Sequence, residues 1–249
     1  MIGSFEHNYR RVLHDIVNFG EKCENRTGID TFVLFNQTFN IDLNEGFPAV
    51  TGKKVYFDKA YHEYMWIEQG LTTTKYLKEN GIHWWDKFAV NGKLGKTYGY
   101  QLRNYNGEKD QLMMAVKEIL ANTRYAHITM WNPSDLEEQA LPCCYTGFTF
   151  VRTGDKLSMV MEFRSSDVFL GLPYDIMCGA IMLYRVAGFT DLKVDQLGIN
   201  LANAHVYENH VEKVKRYLEL PNYPLPKISE DLKELIGYQS GPYIEAELN

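Results

Sequence analysis

Residues 174–187 are apolar on nearly every side. A helix with that pattern has no solvent face, so it must lie in the middle of its fold with other elements packed round it. The segments around it in sequence read as strands. Residues 126–131 and 145–152 are two, Thr153-Gly154-Asp155-Lys156 is a turn, and 157–164 returns as a third. Residues 194–200 read as another strand, with His205-Val206-Tyr207 beyond it. Phe39, Ile41 and Leu43 alternate with polar neighbours, as in a half-buried strand. Phe5, Val12, Leu13, Ile16 and Val17 recur at helical spacing. Further helices are expected over 60–69, with Gly70 as a stop, over 111–121 and over 211–218. There is no strict βαβ rhythm. The expected class is therefore α/β of the α+β type, a mixed sheet covered by helices. No repeat, low-complexity tract or linker interrupts the chain, so one domain over 1–249 is expected.

Charge and cysteine usage narrow the function. The net charge of -6 comes without any run of Lys and Arg, which speaks against a nucleic-acid partner. A small anionic substrate needs only a few placed arginines and stays open. The four cysteines, Cys23, Cys143, Cys144 and Cys178, show no C-x-x-C spacing. Met1 to His7 lacks a charged-then-apolar leader, and the longest apolar run, 176–184, falls short of the roughly 20 residues a membrane span needs. A reducing cytoplasm and no membrane are expected. The 17 tyrosines suit either an aromatic core or a pocket that stacks flat rings.

Several motifs fail on spacing. Gly92 and Gly95 are too close for a phosphate loop, although Lys96-Thr97 follows. His62-Glu63 opens like a zinc-protease helix, but Trp66 stands where the second His belongs. His205 and His210 are five apart, which does not place two ligands on one helix face. No metal site is expected. Neither a G-x-S-x-G elbow nor a dinucleotide glycine pattern occurs.

What remains is Leu141-Pro142-Cys143-Cys144-Tyr145, just ahead of a strand. A cysteine is commonly a small buried hydrophobe, so this pair alone leaves packing and nucleophilic roles both open. Arg164-Ser165-Ser166-Asp167 ends the return strand, and Gly171-Leu172-Pro173-Tyr174-Asp175 leads into the apolar helix. Asn25-Arg26-Thr27-Gly28, Phe47-Pro48-Ala49-Val50-Thr51, His62-Glu63 with Trp66 and Gly70, Trp85-Asp86, Gly95 with Tyr98-Gly99, Trp131-Asn132 and His205-Val206-Tyr207 complete the set. In this order, over nearly the whole chain, these segments resemble the thymidylate synthase family.

The resemblance implies a sheet that dimerises. It also implies transfer of a one-carbon unit from 5,10-methylenetetrahydrofolate to C5 of a pyrimidine nucleotide. C5 is a poor nucleophile until a thiolate adds to C6, which splits one hard step into easier ones. Cys144 falls at the nucleophile position; Cys143, where proline is common, is expected to pack. Arg164 matches the arginine that lies near the nucleophile and holds the substrate phosphate, with Ser165 beside it. Arg26 matches a phosphate ligand on a mobile loop. Arg124 matches one donated by the partner subunit of a homodimer. Glu63 matches the carboxylate that handles protons through ordered water, and Tyr98 the phenol linked to removing the C5 proton. His205 and Tyr207 match the pair on the sugar hydroxyl. Trp85, Asp167, Leu170, Gly171, Leu172 and Tyr174 match the folate pocket, with Asp167 bonding the pterin; Trp85 reads equally well as core. The tail from Gly237 to Asn249 resembles the segment that closes over the ligands.

The departures carry most information. The family reads the base with Asn, and here Asp175 stands in Leu172-Pro173-Tyr174-Asp175-Ile176. An amide matches N3 and O4 of uracil. Cytosine reverses that pattern, and a protonated carboxyl matches the reversal; a carboxylate does so if N3 is protonated. The mismatched base would leave buried polar groups unpaired, which discriminates strongly. The expected substrate is deoxycytidylate (dCMP), as in the phage deoxycytidylate hydroxymethylases that Asp175 resembles, with deoxyuridylate (dUMP) as the alternative. The family's Arg-Arg pair is here Arg124-Tyr125, and Tyr145 replaces a His of the network around O4. Water adding to the exocyclic methylene gives hydroxymethyl, hydride gives methyl; Asp175 favours the first by resemblance. A catalytically silent binding protein and a thiol hydrolase are the readings from other classes.

Overall fold

The periodicity at the start of the chain becomes α1 (Ser4–Phe19), whose Phe5, Val12, Leu13 and Ile16 are fully buried. The computed structural model describes residues 4–249; the first three residues of the stretch read above as lacking a leader lie outside it. β1 (Glu21–Cys23) and β2 (Thr31–Asp42) follow. Next come α2 (Phe57–Glu68), α3 (Lys75–Glu79), α4 (Tyr98–Arg103) and α5 (Gln111–Leu120). Gly70 stops α2 two residues on, in the left-handed region at φ 69°, where glycine carries no Cβ penalty. The Asp110 carboxylate caps α5 by accepting the Met113 N–H at 3.1 Å.

β3 (His127–Thr129), β4 (Tyr145–Thr153) and β5 (Lys156–Phe163) form a meander, with Gly154 turning the second hairpin. β6 (Ser166–Asp167), α6 (Leu172–Thr190), β7 (Lys193–Tyr207), α7 (Val211–Glu219) and the small pair β8 (Lys227–Ile228) and β9 (Leu235–Ile236) complete the elements. The main sheet runs β1-β2-β7-β5-β4-β3, with β6 also on β7. β7 pairs parallel with β5 and β6 and antiparallel with β2, so the sheet is mixed as expected.

Register sorts the sheet into two faces. Phe148 and Phe150 pair with Met161 and Met159; these pair with Ile199 and Leu197, which in turn pair with Phe39 and Ile41. All eight are buried beneath the helices. The next register row, Thr149, Val160, Gly198 and Asn40, faces the other way, and Val151 there is half exposed. α6 packs on the apolar face as its composition demands. A Cβ on Gly179 would fall 2.1 Å from the Met161 sulfur, so this glycine is what lets α6 approach β5.

Two expectations need correction. His205 and Tyr207 lie inside β7, not beyond it, because the strand continues through the exposed Ala202 and Asn203, where alternation is hard to read. The return strand stops at Phe163, and Ser166–Asp167 is a separate strand that crosses to β7. Leu172 is fully buried. Among the described residues no helix is long and apolar enough to cross a membrane.

Candidate active site

The site gathers where α2, α4 and α6 meet the ends of β4 and β7. Cys144 precedes β4, and its carbonyl accepts the Arg164 N–H at 3.0 Å, which continues the β4–β5 ladder. The Cys144 N–H donates to the Tyr98 hydroxyl at 2.7 Å. Tyr98 opens α4 and is buried, its ring 4.4 Å from that of Tyr145. The Arg164 guanidinium donates to the carbonyls of Cys143 at 2.9 Å and Pro142 at 2.8 Å, and lies over Trp131. Arg164 therefore fastens the segment that presents Cys144. Burial and the nearby Asp175 push the Cys144 thiol up; Arg164, the Tyr98 phenol and Arg26 pull it back. Cys143 is fully buried, as its packing role requires.

Two carboxyls from different helices belong to this group: Asp175, which acts on Cys144, and Glu63, which acts on Asp175. Glu63 on α2 accepts from the indole N–H groups of Trp84 at 3.0 Å and Trp85 at 2.6 Å, both on Oε1. Burial raises its carboxyl and the two indoles lower it. Asp175 sits in the first turn of α6, half-buried, with no side-chain hydrogen bond among the described residues. Burial drives its carboxyl well above the ordinary range, and Glu63 and Asp167 add to the rise.

The β6–β7 crossing brings the rest together. Asp167 and His205 are register partners. His205 Nδ1 lies 3.0 Å from Asn203 Oδ1 and 3.4 Å from Ser165 Oγ, and its ring meets Tyr207 edge-on at 5.4 Å. Tyr207 also meets the Thr27 hydroxyl and feels Arg26, which places the 24–30 loop at the rim. Asp167 Oδ1 accepts the N–H groups of Phe169 and Leu170, both at 3.1 Å, and its carbonyl accepts that of Gly171. This turn sets the start of α6. Tyr174 lies 5.5 Å from the Trp84 ring, its phenol pushed up to about 12 by burial. Trp85 is buried, yet its N–H serves Glu63, so it is core and site at once.

Arg124 is not brought to this group. It is exposed between α5 and β3, with no hydrogen bond or ion pair to the described chain, and Tyr125 beside it is 79% exposed. A hollow of about 460 Å³ does open on the bare sheet face, lined by His127, Trp131, Glu162 and Arg164 among others. Sequence reasoning missed Trp84, whose adjacency to Trp85 was its only signal. It also missed Lys53, buried with its ammonium on the Phe169 carbonyl and 3.8 Å from that ring. The tail does pack near the site. Tyr238 donates to the Val50 carbonyl at 2.8 Å, Ile244 is buried, and Lys87 donates to the backbone oxygens of Leu248 and Asn249. Among the described residues no group of three or more His, Cys, Asp and Glu is placed to hold a metal ion. Compared with known families, the chain matches the sequence model described as thymidylate synthase over residues 7–246.

Proposed function

The chain belongs to the thymidylate synthase family, and from that premise we propose that it is a deoxycytidylate 5-hydroxymethyltransferase. The family transfers a one-carbon unit from methylenetetrahydrofolate to C5 of a pyrimidine nucleotide. The observation that carries the choice of base is Asp175. Burial and the like charges of Glu63 and Asp167 raise this carboxyl well above its ordinary range, which favours the protonated form. It then offers one O–H donor and one carbonyl acceptor, the complement of N3 and the 4-amino group of cytosine. No protein group competes for either, since Asp175 makes no side-chain hydrogen bond among the described residues.

In this reading Cys144 adds to C6 and gives up its proton, and C5 gains the nucleophilic character to bond to the one-carbon unit. Arg164, Arg26 and Ser165 bind the phosphate, and His205 and Tyr207 the sugar. Tyr98, which accepts the Cys144 N–H, is assigned the removal of the C5 proton. Glu63 exchanges protons through water, and one water adds to the exocyclic methylene before Cys144 is expelled. The residues present suit a folate: Asp167 commits Oδ1 to backbone donors and leaves Oδ2 for a ring N–H, and we assign Trp85, Leu170, Gly171 and Tyr174 to the same pocket. When bound, the folate supplies the one-carbon unit. We include in the proposal a homodimer in which a second copy covers the polar sheet face and lends its Arg124 to the phosphate.

Mass spectrometry of the product tests the reading, with dCMP and dUMP in competition and methylenetetrahydrofolate as donor. The expected product is dCMP gaining a hydroxymethyl group. A methyl gain would refute the water step alone, and product mainly on dUMP would refute the role given to Asp175.

A further inference from the structure

Trp84 lies outside every assignment made from the sequence, yet it reaches the centre of the site. It shares a turn with Trp85, where the Asp86 N–H donates to the His83 carbonyl at 3.0 Å and the Phe88 N–H to the Trp85 carbonyl at 3.1 Å. Neighbouring side chains on an extended strand point apart; on this turn both indoles converge on one acceptor. Their N–H groups meet the same oxygen, Glu63 Oε1. No donor of the described chain is bonded to Oε2. The Trp84 ring also touches Tyr174, one residue before Asp175, and Lys59 Nζ lies 5.9 Å over its face. Trp84 thus joins Glu63 on α2 to the turn of α6 that bears Asp175.

We propose that Trp84 is a positioning residue of the reaction: with Trp85 it locks the Glu63 side chain, commits Oε1 to the scaffold and leaves Oε2 as the oxygen that exchanges protons with water at the base. The proposal rests on the reading of Glu63 as the proton-handling carboxylate and deepens it. An unrestrained carboxyl presents either oxygen to a proton. One that already accepts two N–H groups on Oε1 takes the proton on Oε2, so the proton has one address. The titratable groups facing Glu63 are Asp175 and Cys178 from α6 and Tyr145 from β4. None of them is a cation. The indoles are therefore the groups that counter burial and favour the ionised form.

Trp84→Phe keeps an aromatic ring and removes the N–H. The limb of the kcat profile that belongs to Glu63 is identified as the one Glu63→Gln abolishes. In Trp84→Phe that limb is expected to rise by about one pH unit and kcat to fall about tenfold, because a donor to a charged group is lost. The KM for the nucleotide should stay within about twofold, since no substrate contact is removed. Benzothienylalanine at position 84 replaces the N–H with sulfur and keeps the bicyclic shape, so it makes the same test if the phenylalanine variant does not fold. A limb that stays in place overturns the proposal whether or not kcat falls, because packing alone would then explain Trp84. Parent-like turnover in Glu63→Gln would instead overturn the reading of Glu63 itself.

Discussion

Two carboxyls, Glu6 on α1 and Asp175 on α6, live under contrasting terms. Glu6 on α1 is 1% exposed and has both oxygens occupied. Its Oε2 accepts the Thr51 N–H at 2.9 Å and the Thr51 hydroxyl at 3.2 Å; its Oε1 accepts the Gly52 N–H at 3.1 Å and the Tyr217 hydroxyl. That cluster ties α1, the loop after β2 and α7 together. Asp175 has none of this, although burial raises its carboxyl as well. Polar groups buried in native proteins are nearly always satisfied. A carboxyl satisfied by its own chain is architecture, and the one left open beside a cysteine is the one proposed to read the base.

Substitution at each should separate the two roles. Asp175→Asn is expected to swing the kcat/KM ratio from dCMP toward dUMP by about a thousandfold or more, because an amide reverses donor and acceptor at a desolvated edge. Glu6→Gln should leave that ratio untouched, and competition assays on both variants read the contrast directly. Glu6→Ala should cost about 3 kcal/mol or more in urea unfolding, since it strands two backbone N–H groups and a buried phenol. Asp175→Asn should do the opposite. The folded carboxyl is raised, so the folded state holds more protons than the unfolded one above the unfolded value, and Asp175 loses stability as pH rises. At neutral pH the Asn variant is expected to be about 1 kcal/mol more stable, with the gain vanishing in acid. Equal stability at both pH values would break the comparison.

The helices that could be read from the sequence were those whose burial is written in their period. α1 and α6 came out within three residues of their ends. α4 did not, because six residues starting Tyr-Gly-Tyr carry no period to read. Asp167 and Gly171, neighbours in sequence, share one turn, and the candidate site residues elsewhere are legible only through the family resemblance. Glu63 with Trp84 and Trp85, 21 and 22 residues apart, meets only once the chain beyond α2 folds back onto it. The Glu6 cluster, closed over separations of 45 to 211 residues, left no mark in the sequence. Nor does a sequence show that Asp175 lacks partners; its identity was readable, its isolation was not.

A third carboxyl sharpens the comparison with the smallest effect. Asp135 accepts from Lys96 at 3.0 Å, Gln101 at 2.9 Å and Asn132 at 2.8 Å. Burial pushes it up, but these donors outweigh burial and hold its carboxyl below the ordinary range. The sign of its linkage is therefore opposite to that of Asp175. Its stabilisation is present above the unfolded carboxyl value and is lost as pH falls through the lowered folded value. Asp135→Asn keeps the shape but puts an NH2, which cannot accept, where one of two accepting oxygens stood, so at neutral pH it should cost about 1 kcal/mol, with Lys96 still paired to Glu138. The cost should shrink in acid, and the preference between dCMP and dUMP should not move. Unfolding curves at neutral and acid pH for both Asn variants would then diverge from the parent in opposite directions at neutral pH and converge with it in acid. Divergence in the same direction would mean that hydrogen-bond satisfaction does not separate the carboxyls that build this fold from the one proposed to read the base.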